Sequence, residues 1–252
     1  MPEPPESGDA SDVRPTTAER VARIMASPTY RLAEDDPGFL GSDTARPARL
    51  QLEFLRAEMH LQRHDIASTV VVFGSTRLVP ESLARARLAD IEATAAMGQG
   101  LEAEIAAARR TLHYSRYYEE ARTLGVALTR ASEASGRREF VVVTGGGPGA
   151  MEAANRGALE SGGRSAGFNI SLPAEQQPNP YITPDLAFRF HYFALRKMHF
   201  MLRAKAICIF PGGFGTFDEL FEALTLIQTG KIAPMPVILF DSTHWKRLID
   251  WD

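Results

Sequence analysis

Residues 140–160 read FVVVTGGGPGAMEAANRGALE. A β-branched apolar run leads into a glycine-rich turn, and the turn into an alanine-rich segment of helical character. Strand, glycine turn and helix in that order form the unit of a parallel α/β sheet, whose strands are buried on both faces and so lack polar alternation. The same alternation continues downstream. A strand over 165–170 is followed by a Pro/Gln/Asn-rich loop over 172–184, a short strand over 187–191 and a helix over 193–202. A strand over 206–210, a second glycine turn, a helix over 217–229 and a strand over 237–240 complete the series. A last helix opens near Thr243 and is unfinished at Asp252, so further chain is expected beyond it.

Upstream, STVVVF at 68–73 predicts another buried strand, ending in Gly74-Ser75. Between it and residue 140 the chain is rich in Ala, Glu, Arg and Leu. The stretch over 81–112, broken only by Gly98 and Gly100, predicts an arm or hairpin inserted at about 81–115, and a further helix runs over 116–134. The fold class expected is α/β: a doubly wound, Rossmann-like parallel sheet spanning 67–252. Ahead of it, 16–66 predicts an N-terminal helical extension, with helices over 16–26 and 48–63. Thr16 and Glu19 have the spacing of a capping box at the first of these. Residues 1–15, acidic and proline-rich, predict a disordered tail.

Composition narrows the function classes. Hydrophobic residues make up 44% and charged residues 23%, ordinary for a globular chain, and the formal net charge of −3 argues against a nucleic-acid-coating or membrane-binding surface. No run approaches the ~20 apolar residues of a membrane helix. The N-terminus has neither the basic nor the apolar region of a signal peptide, and the single cysteine, Cys208, permits no intrachain disulfide. A cytoplasmic protein is expected, with Cys208 a buried structural thiol in an apolar strand. The six histidines show no ligand spacing, so no metal site is expected.

Glycine turns at the carboxyl ends of parallel strands point unpaired helix N–H groups at a crevice suited to phosphate. The first, with Gly145, Gly146, Gly147 and Gly149, has the G-x-G-x-x-G/A spacing of a dinucleotide fingerprint. That fingerprint also needs an acidic residue about 20 positions on, and the next strand ends in Asn169 and Ser171 instead. Neither turn is a P-loop. The second reads FPGGFGTFDEL over 210–220, with Gly212, Gly213 and Gly215 followed by Thr216, Asp218 and Glu219. Thr216-x-x-Glu219 is itself a capping-box spacing, so a purely structural reading stays open: Thr216 as N-cap and Glu219 at the third helical position. Two glycine turns in one domain, with Arg196-Lys197 just upstream, favour a shared phosphate-binding crevice.

The combination resembles the LOG family of cytokinin-activating phosphoribohydrolases, whose bacterial members have carried a lysine decarboxylase label. The family pattern P-G-G-x-G-T-x-x-E is intact at 211–219, and the Arg-Lys pair at Arg196-Lys197. The methionine of the Arg-Lys-x-x-Met pattern and Gly149 of the upstream loop each depart by one position. The resemblance covers about 68–240, and the N-terminal helices and inserted arm look like its longer bacterial subgroup.

The resemblance implies hydrolysis of the N-glycosidic bond of AMP or an N6-modified AMP (a cytokinin nucleotide), giving free base and ribose 5-phosphate without a cofactor. It implies Glu219 and Arg196 as catalytic residues. Gly212, Gly213, Gly215 and Thr216 would bind the 5′-phosphate, with Gly145, Gly146, Gly147, Gly149, Gly74, Ser75 and Lys197 completing the substrate site. A homodimer is implied, its active site at the subunit interface and the helix over 217–229 as the contact. The alternative is a non-catalytic carrier or sensor of a nucleotide or phosphate cofactor. Lysine decarboxylation lacks the pattern of a pyridoxal-binding lysine.

Overall fold

The computed structural model describes residues 14–97, 100–173 and 177–250. Most of the tail expected over 1–15 therefore lies outside the described residues, as do Gly98 and Asp252. Two compact units divide the chain, 1–51 and 52–252. In the first, Thr16 caps helix α1 (Thr17–Met25) through the expected box: the Glu19 N–H donates to Thr16 Oγ1 at 3.3 Å, and the Thr16 N–H to Glu19 Oε2 at 2.7 Å. Helix α2 (Pro37–Gly41) follows, capped by Asp36. Helix α3 (Arg46–Arg63) then leads into the second unit.

The second unit runs β1 (Thr69–Phe73), α4 (Glu81–Ala95), α5 (Glu102–Ala134), β2 (Val141–Thr144), α6 (Ala150–Glu160), β3 (Ser165–Ile170), β4 (Ala187–Phe190), α7 (Phe193–Leu202), β5 (Ala204–Ile209), α8 (Phe214–Gln228), β6 (Val237–Leu239) and α9 (Ser242–Lys246). The six strands form one sheet in the order β4-β3-β2-β1-β5-β6, parallel throughout. The expected doubly wound α/β architecture is what the chain adopts. From β1 the chain winds outward to β4 and then returns to the other side of β1 for β5, so the strand order reverses between β1 and β5. Such a switch point opens a crevice at the carboxyl ends of its two strands.

Period-two alternation splits the core across the sheet. Val71 and Phe73 face a cluster with Val143, Phe168, Ile207, Phe200, Leu220 and Trp245, while Val70 and Val72 face Tyr117, Tyr118, Ala121, Ala154, Cys208 and Phe210. Cys208 is buried there and its thiol pKa is pushed up to about 11 by burial, the state of an inert structural residue. On that face α5 and α6 pack backbone to backbone: a Cβ at Gly157 would come within 1.9 Å of the Arg122 carbonyl oxygen.

Several boundaries differ from the sequence reading. The last helix, expected to be unfinished at Asp252, ends at Lys246, and β5 begins two residues early at Ala204. Two further differences bear on the site. The break expected between residues 112 and 116 is absent, and α5 runs unbroken from Glu102. Its polar His113 and Ser115 resemble a turn locally, but Ser115 is buried and returns its hydroxyl to the Leu112 carbonyl at 2.7 Å. Helix α8 starts at Phe214, three residues before the expected 217, with Gly213 as its N-cap.

Candidate active site

The crevice between β1 and β5 takes its shape from the turns at the ends of those two strands. A Cβ at Gly74 would lie 2.7 Å from the Ala150 Cβ and 2.8 Å from the Phe210 Cβ, so glycine lets both flanking segments close on the end of β1. Next to it, the Ser75 N–H donates to the Pro211 carbonyl at 2.9 Å, and the Ser75 carbonyl accepts the Ala150 N–H at 3.1 Å. One residue thus ties together both glycine turns. Above this junction lies a groove of about 850 Å³, lined by Gly74 and Ser75, by Gly212, Gly213, Gly215 and Thr216, and by Arg196, Asp218 and Glu219. A smaller cavity of about 640 Å³ sits at the opposite ends of the strands, near Thr129, Arg137 and Gly163, away from both glycine turns of the crevice.

The early start of α8 overturns the capping-box reading of Thr216 and Glu219. With Gly213 as N-cap and no side-chain cap, Thr216 is the third helical residue and Glu219 the sixth. The Thr216 N–H donates to the Gly213 carbonyl at 2.9 Å, and its side chain occupies the space a Cβ at Gly212 would need. Gly213 and Gly215 have open space where a Cβ would stand, and neither has a positive φ. The fold itself therefore does not demand glycine at either place, and what their absent side chains leave clear is the approach to the first turn of α8.

Glu219 cannot serve the helix end from its position. It is only 4% exposed, and its Oε2 is buried with no hydrogen-bond partner among the described residues. Burial pushes its pKa up to about 7, against the opposing pull of Lys197 and Arg196. Arg196, from α7, donates Nε to the Phe168 carbonyl at 2.7 Å and lays its guanidinium over the Phe200 ring at 5.2 Å. Burial lowers its pKa, partly offset by Glu219 and then Asp218. No ion pair joins Arg196 to Glu219 among the described residues; the cation acts on the carboxylate through space. Lys197 is not in the groove. Its ammonium pairs with Asp218 at 2.8 Å and Glu222 at 2.6 Å.

The first glycine turn backs the groove without lining it. Thr144 Oγ1 accepts the Gly146 N–H at 3.0 Å and meets Asn155 Oδ1 at 2.7 Å, while Asn179 Nδ2 donates to that same oxygen and to the Gly147 carbonyl. Gly146 has φ +76° and abuts Asn169, the residue standing where a dinucleotide fold keeps its acid. Gly149, also at φ +76°, packs on the Ser75 and Thr76 backbone. Gly145 touches the site indirectly, since a Cβ there would come within 2.6 Å of Arg196 Nη2. Of the residues expected to bind substrate, Gly145, Gly146, Gly147, Gly149 and Lys197 thus stand outside the groove lining. Residues the sequence reading did not single out stand inside it: Arg77, Phe193, His244 and, from α5, Ala107, Arg110, Thr111 and Tyr114. The last four recur at i, i+3, i+4 and i+7, a helical stripe legible in the sequence but without apolar character to flag it.

No three His, Cys, Asp or Glu side chains cluster to hold a metal, and no helix is long and apolar enough to cross a membrane, among the described residues.

Comparison with known proteins supports the LOG family. The family described as "Possible lysine decarboxylase" matches residues 151–252. The pyrimidine/purine nucleotide 5′-monophosphate nucleosidase of Escherichia coli K12 is 33% identical over 139 residues, covering 48% of this chain and 29% of that protein. The same enzyme from Escherichia coli O157:H7 matches equally. The chain thus spans less than a third of the length of the curated relatives it matches. Among solved structures, a structural-genomics X-ray structure is 24% identical, with TM-score 0.40 and coverage of 70% of this chain and 75% of its own. The molybdenum cofactor carrier protein of Chlamydomonas reinhardtii is 17% identical, with TM-score 0.38 and coverage of 68% and 75%.

Proposed function

We propose that this chain, a member of the LOG family, hydrolyses the N-glycosidic bond of a nucleoside 5′-monophosphate, with AMP or an N6-modified AMP as substrate. One observation carries the reading: Glu219 is buried at the edge of the β1–β5 groove, with no hydrogen bond to Oε2 among the described residues and a pKa near neutrality. An unpaired buried carboxyl costs stability and is a poor structural element, whereas catalysis uses such a group.

Cleavage of a ribosyl C–N bond passes through an oxocarbenium-like state with positive charge spread over C1′ and the ring oxygen. The Glu219 carboxylate stabilises that charge and takes a proton from the attacking water. Water oxygen bonds to C1′, the C1′–N bond breaks with its electron pair passing to the base, and a proton reaches the departing nitrogen. The products are ribose 5-phosphate and free base. Arg196, held by Phe168 and Phe200, keeps a positive charge near Glu219 and so favours its ionised form. The first turn of α8, with open approaches at Gly213 and Gly215, receives the 5′-phosphate. In the proposed homodimer, α8 contributes its exposed Phe221 to the partner contact, while Leu224 and Leu226 pack against the subunit's own core. A cytoplasmic location belongs to the same proposal.

The decarboxylase label that the family carries fits the groove poorly. A pyridoxal Schiff base needs a lysine, and none lines the groove among the described residues. The deciding experiment incubates the protein with a panel of nucleoside monophosphates and measures free base and ribose 5-phosphate. Release from wild type, abolished in Glu219→Gln with nucleotide binding retained, supports the hydrolase. Tight binding without turnover of any member would replace it with a carrier or sensor.

A further inference from the structure

We propose that Arg77, on the loop after β1, and Arg110, on α5, form a cationic clamp facing the α8 turn across the groove, making that loop and the inserted hairpin a specificity element for the phosphorylated form of the substrate. The inference rests on the reading of the groove as a nucleoside monophosphate site and extends it to residues outside the glycine turns.

Five side chains lining the groove carry formal charge: Arg77, Arg110, Arg196, Asp218 and Glu219. Two of the three cations are unengaged. Arg196 is committed to the Phe168 carbonyl and the Phe200 ring. Three other arginines of α4 and α5 are paired, Arg85 with Glu81, Arg109 with Glu92 at 2.8 Å and Arg122 with Glu160 at 2.5 Å, while Arg87 and Arg130, without partners among the described residues, stand outside the groove lining. The Arg77 and Arg110 side chains have no ion-pair or hydrogen-bond partner among the described residues. A phosphate monoester brings close to two negative charges at neutral pH, and a helix N-terminus supplies only about half a positive charge against it. With Glu219 on the same helix, and Asp218 beside it answered by Lys197, that turn leaves part of a dianion's charge unmatched. Two free guanidiniums on the same groove make up the deficit through charge-assisted hydrogen bonds.

Position supports the assignment. The Arg77 N–H is fixed to Ser75 Oγ at 3.1 Å, so its loop is held to the residue that joins both glycine turns. Arg110 belongs to the stripe Ala107, Arg110, Thr111 and Tyr114, which turns one face of α5 toward the groove. The Arg109–Glu92 pair braces α5 against α4 without entering it.

Calorimetric titration of the full chain carrying Glu219→Gln, so that no bond breaks, compares AMP, adenosine and inorganic phosphate. Arg77→Ala and Arg110→Ala should each weaken AMP and phosphate by about tenfold or more, the loss of a charge-assisted bond. Adenosine affinity should stay within about twofold on the same scale. Lysine at either position should restore part of the loss, and Arg109→Ala, with the same change of charge on the same helix, should leave AMP affinity unchanged. Unaltered AMP and phosphate affinity in the double alanine variant overturns the clamp, as does a parallel loss of adenosine. Arginine-dependent phosphate binding in a protein that cleaves no monophosphate would keep the clamp and sink the hydrolase reading.

Discussion

The Nζ of Lys197 stands 2.8 Å from an Asp218 carboxylate oxygen, and that pair commits to Asp218 a cation that would otherwise answer Glu219 next to it. Lys197 bonds to Glu222 as well, so two carboxylates on α8 are satisfied while Glu219 Oε2 is left with no hydrogen-bond partner among the described residues. The proton affinity of Glu219 is therefore set by burial opposed by cations acting at a distance, a balance that single substitutions can tip.

The pH profile should show it directly. If ionised Glu219 is the working form, kcat/KM for AMP rises with pH through about 7 rather than through the ordinary carboxylate range. Lys197 lowers the Glu219 pKa, so Lys197→Met should move the rising limb to higher pH. A limb unmoved by this substitution would assign the titration to another group.

Stability should run the opposite way. The Glu219 pKa is raised from 4.5 in the open chain to about 7 in the fold, so between those values the folded state holds a proton that the unfolded state has released. Stability falls as pH rises across this window and levels off above it. Glu219→Gln removes the dependence, and at pH 8 the variant should exceed wild type by about 1–3 kcal/mol in urea denaturation while losing turnover.

Arg196 tests shape against charge. Arg196→Ala should lower kcat by about 10²-fold or more, the scale for losing a preorganised electrostatic group. Arg196→Lys keeps the charge but cannot both donate to the Phe168 carbonyl and stack on Phe200, so it should rescue little. Full activity in the lysine variant would show that charge alone suffices.

Gly213 and Gly215 separate fold from function. Alanine meets open space at both and requires no unusual backbone angle, although Gly213 is the N-cap of α8, where glycine is favoured over alanine. The double variant should therefore stay within about 1 kcal/mol of wild type. Its KM for AMP should nevertheless rise at least about tenfold, because two methyl groups stand in the approach to the α8 turn. Unchanged KM would remove the phosphate from that turn.

Gly157 gives the converse. A methyl group there meets the Arg122 carbonyl oxygen at 1.9 Å, so α5 and α6 must separate. Gly157→Ala should cost about 3 kcal/mol in chemical denaturation, with kcat of the folded fraction preserved because the contact is remote from the groove.

Much of this protein is local chemistry and is legible in the sequence alone. Apolar β-branched runs at 69–73 and 141–144 are strands because their residue types suit a sheet buried on both faces. The bounds of α6, β3 and α7 follow from glycine turns and helical spacing nearby. Strand–helix alternation entails parallel crossovers, and the motif over 211–219 marks the candidate site because its glycines and its acid lie within nine residues of one another.

Tertiary structure decided how those residues are used. Thr216-x-x-Glu219 satisfies every local requirement of a capping box, yet α8 begins three residues earlier, and burial of the Glu219 carboxyl under the groove made it a near-neutral acid instead of a cap. The first glycine turn has a fingerprint spacing, yet strand order sets it one strand away from the switch point between β1 and β5, behind Gly74 and Ser75. Arg110 looks like any solvated helix residue until α5 is laid along the groove. Propensity and motif spacing act over a few bonds, whereas pKa, ion pairing and a shared groove depend on desolvation and on charges brought together from distant segments, and only the folded chain sets those.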